Sequence, residues 1–139
     1  MFYIYQIIVS ILIILSPLII FYRILKSKED KKRFIEKFSI NTKTRIKGNL
    51  VWFHGASVGE ILSVLPIIKI YENKKSIDQI LVTTSTLSSS NIIEKIKLKK
   101  TIHQFYPIDH FYFTNKFLKY WQPNIAIFIE SEIWPSMFK

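Results

Sequence analysis

A single carboxylate, Glu60, follows a short apolar run and a turn of small residues in the stretch LVWFHGASVGEI at 50–61. The apolar residues 50–53 predict a buried strand, and apolar residues that return at helical spacing predict a helix beginning near Val58. Glu60 would then lie over the carboxyl end of a strand, where open α/β sheets bind ligands. The free N–H groups and dipole of a helix N-terminus stabilise negative charge, so Glu60 is a candidate general base.

Taken alone, this pattern favours a structural role for Glu60. Ser57 precedes it by three residues, and the spacing S-x-x-E is that of a capping box at a helix N-terminus. The glycines at 55 and 59 match neither nucleotide-binding fingerprint, because they are spaced neither as G-x-G-x-x-G nor as a P-loop. The residues alone therefore leave a capping and a catalytic role for Glu60 open.

A second carboxylate also follows the carboxyl end of a predicted strand. The apolar run 124–129 predicts a strand, and it is followed directly by Glu130 and, two residues later, by Glu132. If the strand order is doubly wound, Glu130 and Glu60 would face one crevice. The alternative is that Glu130 simply points into solvent, since a charge after an apolar strand needs water or a partner.

The elements that must position these carboxylates alternate between strand and helix, which predicts an α/β fold with a parallel sheet of about four strands. A hydroxyl-rich loop, TTSTLSSS at 83–90, is predicted between the second strand and its helix, and Ile133, Trp134 and Pro135 are predicted to open a further helix. The predicted strands are 50–54, 77–84, 102–106 and 124–129, and the predicted helices are 58–71, 91–99 and 110–120.

The first 22 residues contain no charged side chain, and a helix of that length spans roughly 33 Å, enough for the hydrocarbon core of a bilayer. We interpret residues 1–25 as a membrane anchor helix. A cleaved signal peptide is disfavoured, because the basic residues follow the apolar run and no small-x-small site is visible. Gln6, Ser10 and Ser16 do not form a broad polar face, and Pro17 is compatible with both a spanning and a monotopic helix.

A basic juxtamembrane segment, residues 26–47, follows the anchor. Between positions 23 and 47 there are ten basic residues against three acidic ones, a net of +7 of the chain's +10. By the positive-inside rule this places the rest of the chain in the cytoplasm, against anionic headgroups of the inner membrane. Nucleic acid is not expected as a partner, because no recognition motif accompanies the charge, and a merely solvated linker is the simpler alternative.

Cysteine is absent, which excludes disulfides, thiolate metal sites and a cysteine nucleophile. His54, His103 and His110 are too scattered in sequence to suggest a metal centre by spacing. We therefore expect neither a metal nor a cofactor.

Four motifs in this order behind an apolar anchor resemble the amino-terminal part of the Kdo transferases. They are HGASVGE at 54–60, TTST at 83–86, YPID at 106–109 and ESEIWP at 130–135. These enzymes transfer 3-deoxy-D-manno-octulosonic acid (Kdo) from CMP-Kdo to lipid A precursors in lipopolysaccharide biosynthesis. The resemblance covers the whole chain.

The resemblance implies an inverting GT-B glycosyltransferase, built from two Rossmann-like halves with the active site between them. Residues 48–139 would be an incomplete N-terminal half. Glu60 would be the general base that deprotonates the acceptor hydroxyl, and Glu130 the second catalytic carboxylate. Ser57, Gly59 and Glu132 would shape the acceptor site.

This sequence departs from the family pattern in two ways. After TTST the family loop usually continues with proline, threonine and glycine, whereas this chain has Leu87, Ser88 and Ser89. The sequence also stops at Lys139, before the half that would bind most of the CMP-Kdo donor. We therefore expect this polypeptide alone to be inactive, as a truncated or split-gene product, because one half cannot close a cleft around the donor.

Two other functions are compatible with the sequence. One is a membrane-tethered, non-enzymatic α/β module that binds anionic lipid or a partner protein through its basic segment. The other is a related GT-B glycosyltransferase with a different sugar.

Overall fold

A computed structural model describes residues 2–130 and 134–138 of the chain. It confirms the α/β class, with an apolar N-terminal helix before a parallel sheet of four strands. The helices are α1 (Phe2–Leu25), α2 (Val58–Glu72), α3 (Leu87–Ile96) and α4 (Phe111–Trp121), with a 3-10 helix at Arg33–Phe38. The strands are β1 (Leu50–His54), β2 (Gln79–Thr84), β3 (Thr101–Phe105) and β4 (Ile125–Phe128).

The strands lie in the order β3-β2-β1-β4, all parallel to their neighbours. Every residue of β1 and β2 is buried, as expected for parallel strands covered on both faces. Val51 and Phe53 pack on one face of the sheet with the apolar sides of α2 and α3. Leu50 and Trp52 pack on the other face against α4, where Phe117 is buried.

Three details of the sequence prediction are corrected by the structure. Helix α3 begins at Leu87 rather than at 91, because the Thr86 hydroxyl accepts a hydrogen bond from the Ser89 amide and caps the helix there. Strand β4 is half exposed rather than buried, since it forms an edge of the sheet. Of the helix predicted to open at Ile133, Trp134 and Pro135, Ile133 lies outside the described residues, and residues 135–137 form a turn.

The basic segment between α1 and β1 is packed against the sheet through one buried carboxylate, Glu36. Both of its oxygens accept hydrogen bonds from Arg33, from Nε at 2.8 Å and from a terminal nitrogen at 3.0 Å. The Phe105 amide at the end of β3 donates to the same carboxylate at 2.8 Å, and the Thr42 hydroxyl also donates to it. The segment is therefore attached to the sheet rather than being a solvated linker.

Helix α1 lies alongside the α/β domain. Near its beginning, the Tyr5 hydroxyl donates to Asp109 at 2.7 Å and the Gln6 amide donates to the Ser136 hydroxyl at 2.7 Å. At its end, Arg23 donates to the buried carboxylate of Glu29 at 3.0 Å. Most of its other side chains are apolar and exposed. Although long and apolar enough to cross a membrane, α1 thus contacts the α/β domain through its first turns and the segment that follows it through its last turn.

We predict that Glu36→Gln lowers the free energy of unfolding by about 3 kcal/mol, because it breaks a buried ion pair and leaves Arg33 without its buried partner. Urea unfolding followed by tryptophan fluorescence measures the loss. The matched control is Glu94→Gln, which removes a second, more exposed partner of Arg33 and should cost less than about 1 kcal/mol. Equal small losses in both variants would contradict a structural role for Glu36.

Candidate functional site

The carboxyl ends of β1 and β4 form the switch point of this sheet. From β1 the chain proceeds outward to β2 and β3 on one side, and it then returns to place β4 on the other side of β1. The loops that leave β1 and β4 therefore diverge, and such a divergence creates the crevice in which open α/β sheets bind ligands.

The two loops touch at this point. The Ile129 amide donates to the carbonyl oxygen of His54 at 2.9 Å. A Cβ atom added to Gly55 would lie 3.1 Å from the side chains of both Ile129 and Ile61, so any larger residue would have to displace these side chains. The HGASVGE turn is thereby held directly beside the end of β4.

Glu60 is fixed in the first turn of α2. Ser57 is the N-cap, and its hydroxyl accepts the Glu60 amide at 3.3 Å. The Glu60 carboxylate in turn accepts the Ala56 amide at 2.8 Å and the Ser57 hydroxyl at 2.6 Å. These donors and the helix dipole stabilise its negative charge.

The capping interaction expected from the S-x-x-E spacing is thus present, but it does not use all of the hydrogen-bond acceptor capacity of the Glu60 carboxylate. Two bound donors leave about two of its four lone-pair sites for a substrate hydroxyl. The side chain is half exposed, so it combines a fixed orientation with access from solvent. This geometry is compatible with a general base, and the catalytic role of Glu60 stays a prediction.

The other predicted site residues do not all lie on the same turn as Glu60. Ser57 and Gly59 are exposed on the same turn as Glu60, and a Cβ atom at Gly59 would have no atom within 4 Å. Glu130 is exposed, adopts a positive φ of 60° and follows the neighbouring strand β4. That its carboxylate shares a hollow with Glu60 stays a prediction. Glu132 lies outside the described residues.

His54, the last residue of β1, is a further polar group at this edge. Its ring is fully buried and stacks on Tyr106 with 3.9 Å between ring centroids. Burial lowers the pKa of His54 to about 4, so the ring is neutral at neutral pH. Its Nδ1 lies 2.9 Å from the Thr83 hydroxyl and 3.2 Å from the Thr83 carbonyl oxygen, so Thr83 holds the ring in place.

Sequence reasoning assigned no role to His54 at this site, although the signal was there: a histidine ends an otherwise apolar, buried strand. Its partners Thr83 and Tyr106 lie in other strands or loops, and the sequence gives no direct indication of such a contact.

The TTST loop is positioned by a chain of hydrogen bonds that begins in the basic segment. Arg33 donates to Nδ1 of His103 at 2.8 Å, so the ring proton is on Nε2, which lies 2.9 Å from the Thr84 hydroxyl. Burial, together with the charges of Arg33 and Lys43, holds the pKa of His103 well below its ordinary value. A neutral His103 thus links the basic segment to the loop.

A hollow of about 220 Å³ lies beside this edge of the sheet. Tyr106, which stacks on His54, forms part of its wall, so the hollow adjoins the end of β1. Its other lining residues are Lys37, Ser85, Pro107, Ile108, Asp109 and Trp134. Three loops that follow or flank the strands therefore share one cavity with both charged and hydroxyl groups.

Comparison with known proteins identifies one family over most of the chain. A family model described as 3-deoxy-D-manno-octulosonic-acid transferase (kdotransferase) matches residues 28–139. No solved structure matches significantly.

Curated relatives carry the same name, 3-deoxy-D-manno-octulosonic acid transferase. The protein of Rickettsia felis is 48% identical over 87 residues, covering 63% of this chain and 19% of the relative. That of Rickettsia bellii is 41% identical over 117 residues, which are 84% of this chain and 28% of the relative. That of Haemophilus influenzae is 26% identical over 132 residues, which are 92% of this chain and 31% of the relative. The chain thus spans less than a third of the length of these relatives.

We predict opposite effects on stability for alanine at the two glycines of the turn. Gly59→Ala should leave the free energy of unfolding unchanged or raise it by up to about 1 kcal/mol, because α2 gains a better helix former with no steric conflict. Gly55→Ala should lower it, because its Cβ would press on Ile129 and Ile61. Urea unfolding of both variants checks this, and a destabilised Gly59→Ala would contradict the open space seen at that position.

Proposed function

Because this chain belongs to the 3-deoxy-D-manno-octulosonic acid transferase family, we propose that it forms the acceptor side of a glycosyltransferase that moves Kdo from CMP-Kdo to a lipid A precursor. The observation that carries this proposal is the position of Glu60: a half-exposed carboxylate, oriented by two donors, at the switch point of the sheet.

In this mechanism Glu60 accepts the proton of an acceptor hydroxyl. The resulting oxygen nucleophile forms a bond to the anomeric carbon of Kdo, the bond from that carbon to the CMP phosphate breaks, and CMP leaves with the bonding electrons. Attack opposite the leaving group inverts the anomeric configuration. The Ala56 amide and the Ser57 hydroxyl orient the carboxylate, and such positioning of a base within reach of the proton is what general-base catalysis requires.

Glu130 is proposed as the second carboxylate of the same crevice, where it assists the transition state or orients the acceptor. Its place directly after β4, the strand beside β1, supports this assignment. Ser57, Gly59 and Glu132 are proposed to shape the acceptor site. The open space at Gly59 would admit a sugar ring close to the backbone.

The donor CMP-Kdo is proposed to bind mainly to a second half of a GT-B enzyme, outside these 139 residues. The much greater length of the relatives supports this division. Without that half the reacting groups would be neither positioned nor shielded from water, so we expect the isolated chain not to transfer Kdo.

The leading test is Glu60→Gln in a chimera in which this chain replaces the aligned part of the Rickettsia bellii relative. We expect Kdo transfer from CMP-Kdo to a lipid A precursor to fall by a factor of about 10² to 10⁴, because the amide cannot accept the proton. Product formation is measured by mass spectrometry.

Glu72→Gln is the matched control, because Glu72 ends the same helix and its carboxylate also accepts two hydrogen bonds, from the Lys100 amide and the Thr101 hydroxyl. It should retain Kdo transfer.

If Glu60→Gln retains full activity in the folded chimera, Glu60 is only a capping residue. If the parent chimera binds anionic vesicles but transfers no sugar, the non-enzymatic membrane module becomes the better assignment.

We further propose that α1 anchors the protein to the cytoplasmic face of the inner membrane by lying in the plane of the bilayer rather than crossing it. Tyr5 and Gln6 contact the domain near the start of the helix, about 27 Å along the helix from Arg23, where the chain leaves it. A helix that crossed the roughly 30 Å hydrocarbon core would separate Tyr5 from a cytoplasmic Asp109. The docked helix instead keeps its exposed apolar face available to one leaflet.

The absence of cysteine makes this geometry testable by introduced thiols. We predict that a short bifunctional maleimide cross-links Gln6→Cys to Ser136→Cys in anionic vesicles, since the two side chains are hydrogen-bonded. The control pair is Ile14→Cys with Ser136→Cys. Ile14 lies on a strongly exposed part of the helix, so this pair should not cross-link. Cross-linking in detergent that is lost in vesicles would indicate a spanning helix.

A further inference from the structure

An apolar groove of about 340 Å³ runs between α1 and the loop that precedes α4. Ile8, Leu12 and Ile13 of α1 form one wall, and Ile108 and Trp134 contribute to the other. Its volume is within the range of small-molecule sites, and its lining is almost entirely hydrocarbon.

One end of this groove meets the hollow that adjoins the end of β1. Ile108, Asp109 and Trp134 line both the groove and the hollow at the end of the sheet. The hollow adds polar groups from Lys37 and Ser85. The two cavities together therefore form an amphipathic site, apolar along α1 and polar at the strand ends.

Asp109 lies at the boundary between the two cavities. Its Oδ2 accepts the Tyr5 hydroxyl at 2.7 Å and the Ser136 amide at 3.0 Å. Its Oδ1 is buried and has no hydrogen-bond partner within residues 2–130 and 134–138. A buried acceptor without a donor is costly, so Asp109 retains an unused hydrogen-bonding position at the boundary of the two cavities.

We propose that this groove binds one acyl chain of the lipid-linked acceptor while the hydroxyl-bearing head group occupies the hollow. The inference rests on the proposed function and assigns a binding surface to the lipid part of its substrate. An amphipathic lipid fits because the groove continues from the apolar face of α1 to polar groups beside β1, so chain and head group both meet matching surroundings.

A second apolar groove, between α1 and the 3-10 helix, provides an internal comparison. It has a volume of about 280 Å³ and is lined by Ile20, Phe34 and Phe38, among others. It shares no lining residue with the hollow at the strand ends. A chain bound there would not place its head group at the candidate site, so the two grooves can be distinguished by substitution.

The first test uses the full 139-residue chain in vesicles with a lipid A precursor that carries a photoactivatable group in one acyl chain. After irradiation, adducts located by mass spectrometry should concentrate on Leu12, Ile13 and Ile108. Phosphatidylglycerol with the same reactive chain should label the exposed face of α1, including Ile14, more evenly. Identical labelling by both lipids would overturn the proposal, because the groove would then be an ordinary bilayer contact.

The second test fills each groove. Ile13→Trp should reduce groove adducts at least fivefold, whereas Ile20→Trp, the control in the other groove, should leave them unchanged. In the chimera, Ile13→Trp should raise the KM for the acylated acceptor about tenfold, which corresponds to losing the burial of about two methylenes. The KM for the deacylated acceptor should not change.

These outcomes separate the inference from the function on which it rests. Normal kinetics of Ile13→Trp in an active chimera would overturn the acyl-chain groove and leave Kdo transfer intact. A chimera that is folded but inactive with every acceptor would overturn the proposed function, whatever the labelling shows. If Ile13→Trp fails to fold, Leu12→Trp fills the same groove from the next position, and normal groove labelling in that variant would overturn the inference.

Discussion

The position of β1 between two parallel partners is the constraint on which the candidate site depends. Its residues are buried on both faces, and it is hydrogen-bonded to β2 on one side and β4 on the other. Its carboxyl end is therefore enclosed by two neighbouring strand ends. A tight, small-residue turn is needed to leave the sheet there, and Gly55 supplies it against Ile129. The same turn delivers Glu60 to the N-terminus of α2.

A second constraint ties the segment that follows α1 to this sheet. The Glu36 carboxylate is buried and binds both Arg33 and the Phe105 amide. Removing such a charge from water is costly, and its ion pair and hydrogen bonds offset that cost here. Because Arg33 also contacts His103, the segment that follows α1 and the TTST loop are held by one network. The position of this segment relative to the strand ends is thus set by buried polar contacts.

The sequence predicted those features that are local or periodic. The burial of β1 and the start of α2 at Val58 follow from an apolar run, a small-residue turn and the N-cap Ser57. The start of α3 was misplaced because several consecutive hydroxyl residues could each cap a helix, and only the structure selects Thr86. The docking of α1 was missed since Tyr5, Gln6 and Ser10 form a narrow stripe whose partners lie a hundred or more positions away.

The docked helix also bears on how the proposed lipid-linked acceptor would reach the proposed site. Each methylene withdrawn from hydrocarbon into water costs about 0.8 kcal/mol, so lifting a whole acyl chain out of a bilayer is prohibitive. A helix that lies in one leaflet and shares an apolar groove with the domain removes this cost, because the chain moves from lipid to hydrocarbon side chains. The head group can then enter the polar hollow while its chain stays in apolar surroundings. A helix that crossed the bilayer, away from Asp109 and Ile108, would form no such groove.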